Sequence, residues 1–123
     1  MYVDDDASVR STVRRMLERQ GVAVEVAEGV HDAQSKIAER GAEATPIDGI
    51  FIDIWLGDGT AFELVAWLQE HAPQLRKRAA LVTGDIADDV PADRTLRALG
   101  LPVFAKPFDA AAMAKTAFGW SDA

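Results

Sequence analysis

The chain has 123 residues, close to the usual size of one domain and long enough to bury a core. Twenty acidic residues against thirteen basic ones leave a net charge of −7, the wrong sign for a nucleic-acid-binding surface. With no cysteine, disulfides, thiolate metal sites and a cysteine nucleophile are all excluded.

No apolar run approaches a membrane span, and the N-terminus lacks the basic and apolar regions of a signal peptide. A cytoplasmic protein with no membrane contact is expected. No repeat, low-complexity tract or internal linker appears, so residues 1–123 are read as a single domain.

Met1 to Val3 is a short apolar start running into Asp4, Asp5 and Asp6. Val9, Val13, Met16 and Leu17 then recur on one helical face, with Asp6 or Ser8 as cap and Gly21 as stop. Val22 to Ala27 predicts a strand, and Asp32 to Arg40 a shorter helix with Ala33 and Ile37 inward. Gly49 to Asp53 is an apolar run of the kind buried on both faces of a parallel sheet. After a Gly-Asp-Gly loop, Ala61 to His71 predicts an apolar helix and Ala79 to Thr83 a fourth strand. A helix falls between Asp88 and Leu99, with Pro91 confined to its first turn. Pro102 to Ala105 is a fifth strand, and Asp109 to Phe118 a closing helix.

The order is (βα)5, which right-handed crossovers turn into an α/β fold: a doubly wound, five-stranded parallel sheet between helix layers. The functional crevice of such a sheet lies at the carboxyl ends of its strands. Asp4 and Asp5, Asp53, Thr83 and Lys106 all stand at those ends. Three carboxylates there repel one another unless a cation sits among them, and an all-oxygen set favours Mg²⁺. A carboxylate in that field can take a phosphoryl group as an acyl phosphate, with Lys106 and the Thr83 hydroxyl stabilising phosphoryl oxygens.

Val3-Asp4-Asp5, Asp53 after its apolar strand, Thr83-Gly84 and Lys106-Pro107-Phe108 together resemble the motif set of the response regulator receiver family. The resemblance spans the whole chain, in order and with family-like spacing. It implies the flavodoxin-like, CheY-like version of the fold. It also implies Asp53 as phosphoacceptor and Asp5 as a metal ligand, with Asp4 acting beside it through water. The backbone carbonyl of Trp55 would be a further ligand to Mg²⁺, and Thr83 and Lys106 would recognise the phosphoryl group. Lys106-Pro107 would carry a cis peptide bond. The implied donor is a histidine kinase or histidine phosphotransfer protein. The domain is then a phosphoacceptor switch rather than an enzyme turning over an external substrate. An output domain on a longer chain, and a homodimer, are both compatible with this.

Departures from the family pattern carry expectations of their own. Val103 stands where the family often has an aromatic residue that swings with the threonine, and Phe104 is its neighbour. Trp55 and Asp85 hold the two positions that tune acyl-phosphate lifetime, and the Trp55 indole is expected to shield the phosphoryl group from water. The family normally has more apolar residues before the acidic pair, so the first strand is expected to be truncated, as in a receiver cut from a hybrid sensor kinase.

Simpler roles exist for many of these residues. Asp4 to Asp6 alone would pass for a solvated helix cap, and Asp88, Asp89 and Asp93 for an acidic face. His31 and His71 read as surface residues, Trp67 as packing, and Trp120 as a cover for the last helix or a contact. Three rival functions stand beside this reading. Asp58-Gly59-Thr60 mimics part of the signature of haloacid-dehalogenase-type phosphatases, but Trp55 occupies their general-acid position. A receiver-like interaction module without phosphoryl chemistry is disfavoured by the complete site. A flavodoxin-like nucleotide binder lacks its glycine-rich loop.

Overall fold

The computed structural model describes residues 1–40, 47–83, 98–105 and 109–121. The strands are β1 (Tyr2–Val3), β2 (Val26–Ala27), β3 (Ile50–Asp53), β4 (Trp55–Leu56), β5 (Gly59–Thr60), β6 (Ala79–Thr83) and β7 (Val103–Ala105). The helices are α1 (Ala7–Arg19), α2 (Val30–Arg40), α3 (Ala61–His71), α4 (Pro73–Arg76) and α5 (Ala110–Ser121). Five strands form one sheet in the order β2-β1-β3-β6-β7, every pair parallel, while β4 and β5 make a small antiparallel hairpin. This is the doubly wound sheet that the sequence predicts.

The two-residue period of the strands sorts their side chains into two cores. Val3, Ile50, Ile52, Ala79 and Leu81 face one layer, with Val30, Ala33 and Ile37 of α2 and Leu64, Val65 and Leu68 of α3. Tyr2, Phe51, Ala80 and Val82 face the other, with Val13 and Leu17 of α1 and Met113 and Ala114 of α5. Each fully buried Leu, Ile or Val contributes roughly 1.5–3 kcal/mol, so the two clusters together fix the layers around β3 and β6.

Several boundaries differ from expectation for identifiable reasons. β2 covers only Val26–Ala27 of the predicted Val22–Ala27 run. Its neighbour β1 supplies two ladder residues, pairing Tyr2 with Val26 and Val3 with Ala27. Upstream, the Val22 amide donates instead to the Leu17 carbonyl (3.0 Å), wrapping the end of α1 after Gly21 turns left-handed at φ 89°. Helix α2 begins at Val30, two residues before the predicted start. The Gly-Asp-Gly loop belongs to the β4–β5 hairpin, and α4 adds a turn where no element was expected. Of the predicted 88–99 helix, Ala98 and Leu99 are helical and the remaining residues lie outside those described. Among the described residues no helix is long and apolar enough to cross a membrane.

Candidate functional site

The Asp4-Asp5-Asp6 run divides into three different environments. Asp6 caps α1, its Oδ1 accepting from the amides of Ser8 (2.9 Å) and Val9 (3.2 Å). Asp5 is exposed. Asp4 is fully buried: its Oδ2 accepts from the Tyr2 hydroxyl (2.9 Å) and its Oδ1 from the Asp6 amide (2.9 Å). The Asp4 carbonyl accepts from Arg10 Nη1 at 2.7 Å, which ties the end of β1 to α1. Burial, then the charge of Asp4, pushes the Tyr2 phenol well above its ordinary pKa, so it stays a donor. Tyr2 and Arg10 are the parts of this edge that motif reasoning missed. Alternation along the strand places Tyr2 beneath Asp4, a signal present in the sequence but silent without the fold.

Asp53 ends β3 with 7% of its surface exposed, and its register partner on β6 is Val82. Asp4, Asp5 and Asp53 each offer a carboxylate oxygen, and these oxygens lie within 4.8 Å of one another. Three convergent hard-oxygen donors at this spacing suit a divalent cation of the Mg²⁺ type. Thr83 ends β6, is 5% exposed, and pairs with Ala105. Parallel pairing of β3, β6 and β7 thus brings Asp53 and Thr83 to one rim. Lys106, Pro107, Asp85, Asp88, Asp89 and Asp93 lie outside the described residues.

Trp55 begins the hairpin beyond β3, between Ile54 and Leu56, whose side chains are both buried. Its own side chain is exposed. Two hydrogen bonds hold the exit from β3: Ile54 N donates to the Val82 carbonyl and Ala61 N to the Ile54 carbonyl, each at 2.9 Å. At the hairpin tip, Asp58 reaches across to α2, where its carboxylate accepts from the Val30 amide (2.8 Å) and the His31 amide (3.0 Å). These bonds hold the Asp58 carboxyl below its usual range. They also explain the early start of α2, because the cap comes from 28 residues away.

The remaining aromatic and histidine residues take structural places. The His71 ring stacks on Trp67 at 4.7 Å, and the His31 side chain is exposed. Val103 is exposed, while Phe104 packs edge-on against Phe51 at 5.8 Å. Trp120 packs against Phe51 with centroids 4.9 Å apart, covering the second core.

The sequence matches the family model of the response regulator receiver domain over residues 1–118. It is 31% identical over 110 residues to the acid tolerance regulatory protein ActR of Sinorhizobium medicae, covering 89% of this chain and 53% of that protein. The chain therefore spans about half the length of the curated relatives it matches. Among solved structures, a response regulator receiver domain protein from Clostridium thermocellum superposes with a TM-score of 0.82 at 16% identity, covering 98% and 91% of the two chains. The receiver domain of NtrX from Brucella abortus does so at 0.75 and 21%, covering 98% and 96%. The haloacid-dehalogenase alternative finds no support here, and the Asp58 that suggested it is spent on the N-terminus of α2. Matched along nearly its whole length and folded as five parallel strands with acidic residues at their carboxyl rim, the chain belongs to the response regulator receiver family of two-component signalling.

Proposed function

We propose that Asp53 accepts a phosphoryl group from a phosphohistidine on a histidine kinase or histidine phosphotransfer protein. The observation that carries this is the convergence of the Asp4, Asp5 and Asp53 oxygens within 4.8 Å at the end of β3. A carboxylate oxygen of Asp53 forms the new bond to phosphorus, and the phosphorus–nitrogen bond breaks with its electrons leaving on the imidazole. Asp5, Asp53 and the Trp55 carbonyl are the ligands offered to Mg²⁺, with Asp4 supporting from behind through its bonds to Tyr2 and Asp6. Mg²⁺ at such a site offsets the carboxylate charge and orients phosphoryl oxygens.

Thr83, at the end of β6, donates its hydroxyl to a phosphoryl oxygen, and Lys106 neutralises another. Movement of Thr83 then biases a face that includes β7 and α5, which a partner or an attached output domain reads. The exposed Trp55 indole shields the acyl phosphate and lengthens its life. Replacing it by Asn is expected to speed hydrolysis, and an unchanged rate removes this role.

Intact mass after incubation with Mg²⁺ and acetyl phosphate tests the core of the proposal. One phosphoryl group is expected on wild type, absent without Mg²⁺ and absent from Asp53→Ala. An adduct that persists in Asp53→Ala assigns the wrong acceptor.

A further inference from the structure

We propose that Asp58 is a positioning residue for the metal-binding edge, latching the loop after the acceptor to the N-terminus of α2. The inference rests on the proposed assignment of Mg²⁺ to Asp5, Asp53 and the Trp55 carbonyl, with Asp4 supporting them. The β4–β5 hairpin has two residues per strand, pairing Trp55 with Thr60 and Leu56 with Gly59. A hairpin this short has little stability of its own and takes its position from what fastens it. Its base is fastened by buried Ile54 and Leu56 and by Thr60, whose hydroxyl caps α3 through the Glu63 amide. Its tip is fastened by Asp58.

Both carboxylate oxygens of Asp58 are used, one on each of the Val30 and His31 amides, so the side chain is bidentate on a helix N-terminus. Gly29 makes the approach feasible. A Cβ at that position would stand 2.5 Å from Asp58 Oδ1, so the carboxylate would have to move away. On its other side the tip borders the acidic site, where a Cβ on Gly57 would lie 3.6 Å from Asp5 Oδ2. Gly57 is thus flanked by the latch and by the metal-binding carboxylate, and the Trp55 carbonyl is two residues upstream. Asp58 is outside the Asp4, Asp5, Asp53 cluster, so its contribution is to geometry, not to ligation.

The consequence is a coupling between the entry to α2 and the affinity of the site for its cation. Supporting groups that orient ligands typically change metal affinity by about tenfold or more when removed. In Asp58→Ala we expect Mg²⁺ affinity by calorimetry to fall about tenfold. Phosphorylation by acetyl phosphate should be slow at low Mg²⁺ and recover at saturating Mg²⁺. Asp58→Asn keeps one acceptor oxygen and should fall between. Gly29→Ala displaces the same carboxylate from the opposite side and should weaken Mg²⁺ binding with Asp58 intact, which covers the case in which Asp58→Ala folds poorly. Lower melting temperatures with wild-type Mg²⁺ affinity in these variants would overturn the latch and leave the site assignment standing. Wild type that binds no Mg²⁺ would overturn both.

Discussion

The two ends of the β-sheet are built on opposite principles. At the carboxyl end, Asp4, Asp5 and Asp53 are held together against their mutual repulsion, with Thr83 buried at the same rim. At the amino end lies a cleft of about 410 Å³ lined largely by apolar groups, among them Val22, Val24, Ile47, Phe51 and Trp120. The first end gathers like charges into one small volume, and the second is lined mainly by apolar side chains. Chemistry is therefore expected at the first end, and packing stability at the second.

Charge removal at the rim should break this contrast most visibly. Asp5→Asn is expected to weaken Mg²⁺ binding on the order of a hundredfold, since under the proposed assignment it deletes a charged ligand. In Mg²⁺-free buffer the same variant should melt no lower than wild type, because it relieves like-charge repulsion. A clear loss of stability without Mg²⁺ would mean that Asp5 is structural.

Trp120→Ala at the opposite end should do the reverse. It empties the contact with Phe51 and should cost about 3 kcal/mol in denaturant unfolding, with the yield of phosphorylated protein unchanged. The fit there is tight: a Cβ on Gly49 would stand 2.0 Å from the Trp120 ring.

In a chain that starts at Met1, the amino end also carries the Met1 amine, which donates to the Gly49 carbonyl at 2.8 Å. Burial lowers its pKa from 8.0 to about 6, only partly opposed by the nearby carboxylates of Glu25 and Asp48. Because the folded state binds this proton less readily than the unfolded state, stability falls as pH drops from about 8 to about 6. The expected loss is on the order of 2 kcal/mol, measured by urea unfolding across that range. N-terminal acetylation should remove it.

The smallest effect belongs to the cap of α1. Asp6→Ala should cost about 1 kcal/mol and leave Mg²⁺ affinity near wild type, separating Asp6 from Asp4 and Asp5.

The five parallel strands, and the places of Asp4, Asp5, Asp53 and Thr83 at their ends, were legible because each strand carries its own local pattern and each motif ends a strand. Ile50-Phe51-Ile52 announces a doubly buried strand, and Asp53 after it has no apolar reason to be there. What stayed hidden depends on partners distant in sequence. The start of α2 is set by Asp58, the length of β2 by the two residues of β1, and the inward packing of Phe104 by Phe51. Asp58 itself looked like a fragment of another family's signature until the fold placed it on α2. Lys106 was legible as a motif member and falls outside the described residues.

The Met1 amine occupies a ladder position, since Phe51 N donates to the Met1 carbonyl at 2.9 Å while the amine bonds to Gly49. Any residue joined ahead of Met1, such as an affinity tag, replaces that amine with an uncharged peptide N–H able to make the same bond. The tagged protein would then lose the part of the acid sensitivity that comes from this amine. Stability profiles recorded on the two forms should diverge below pH 8 and coincide above it.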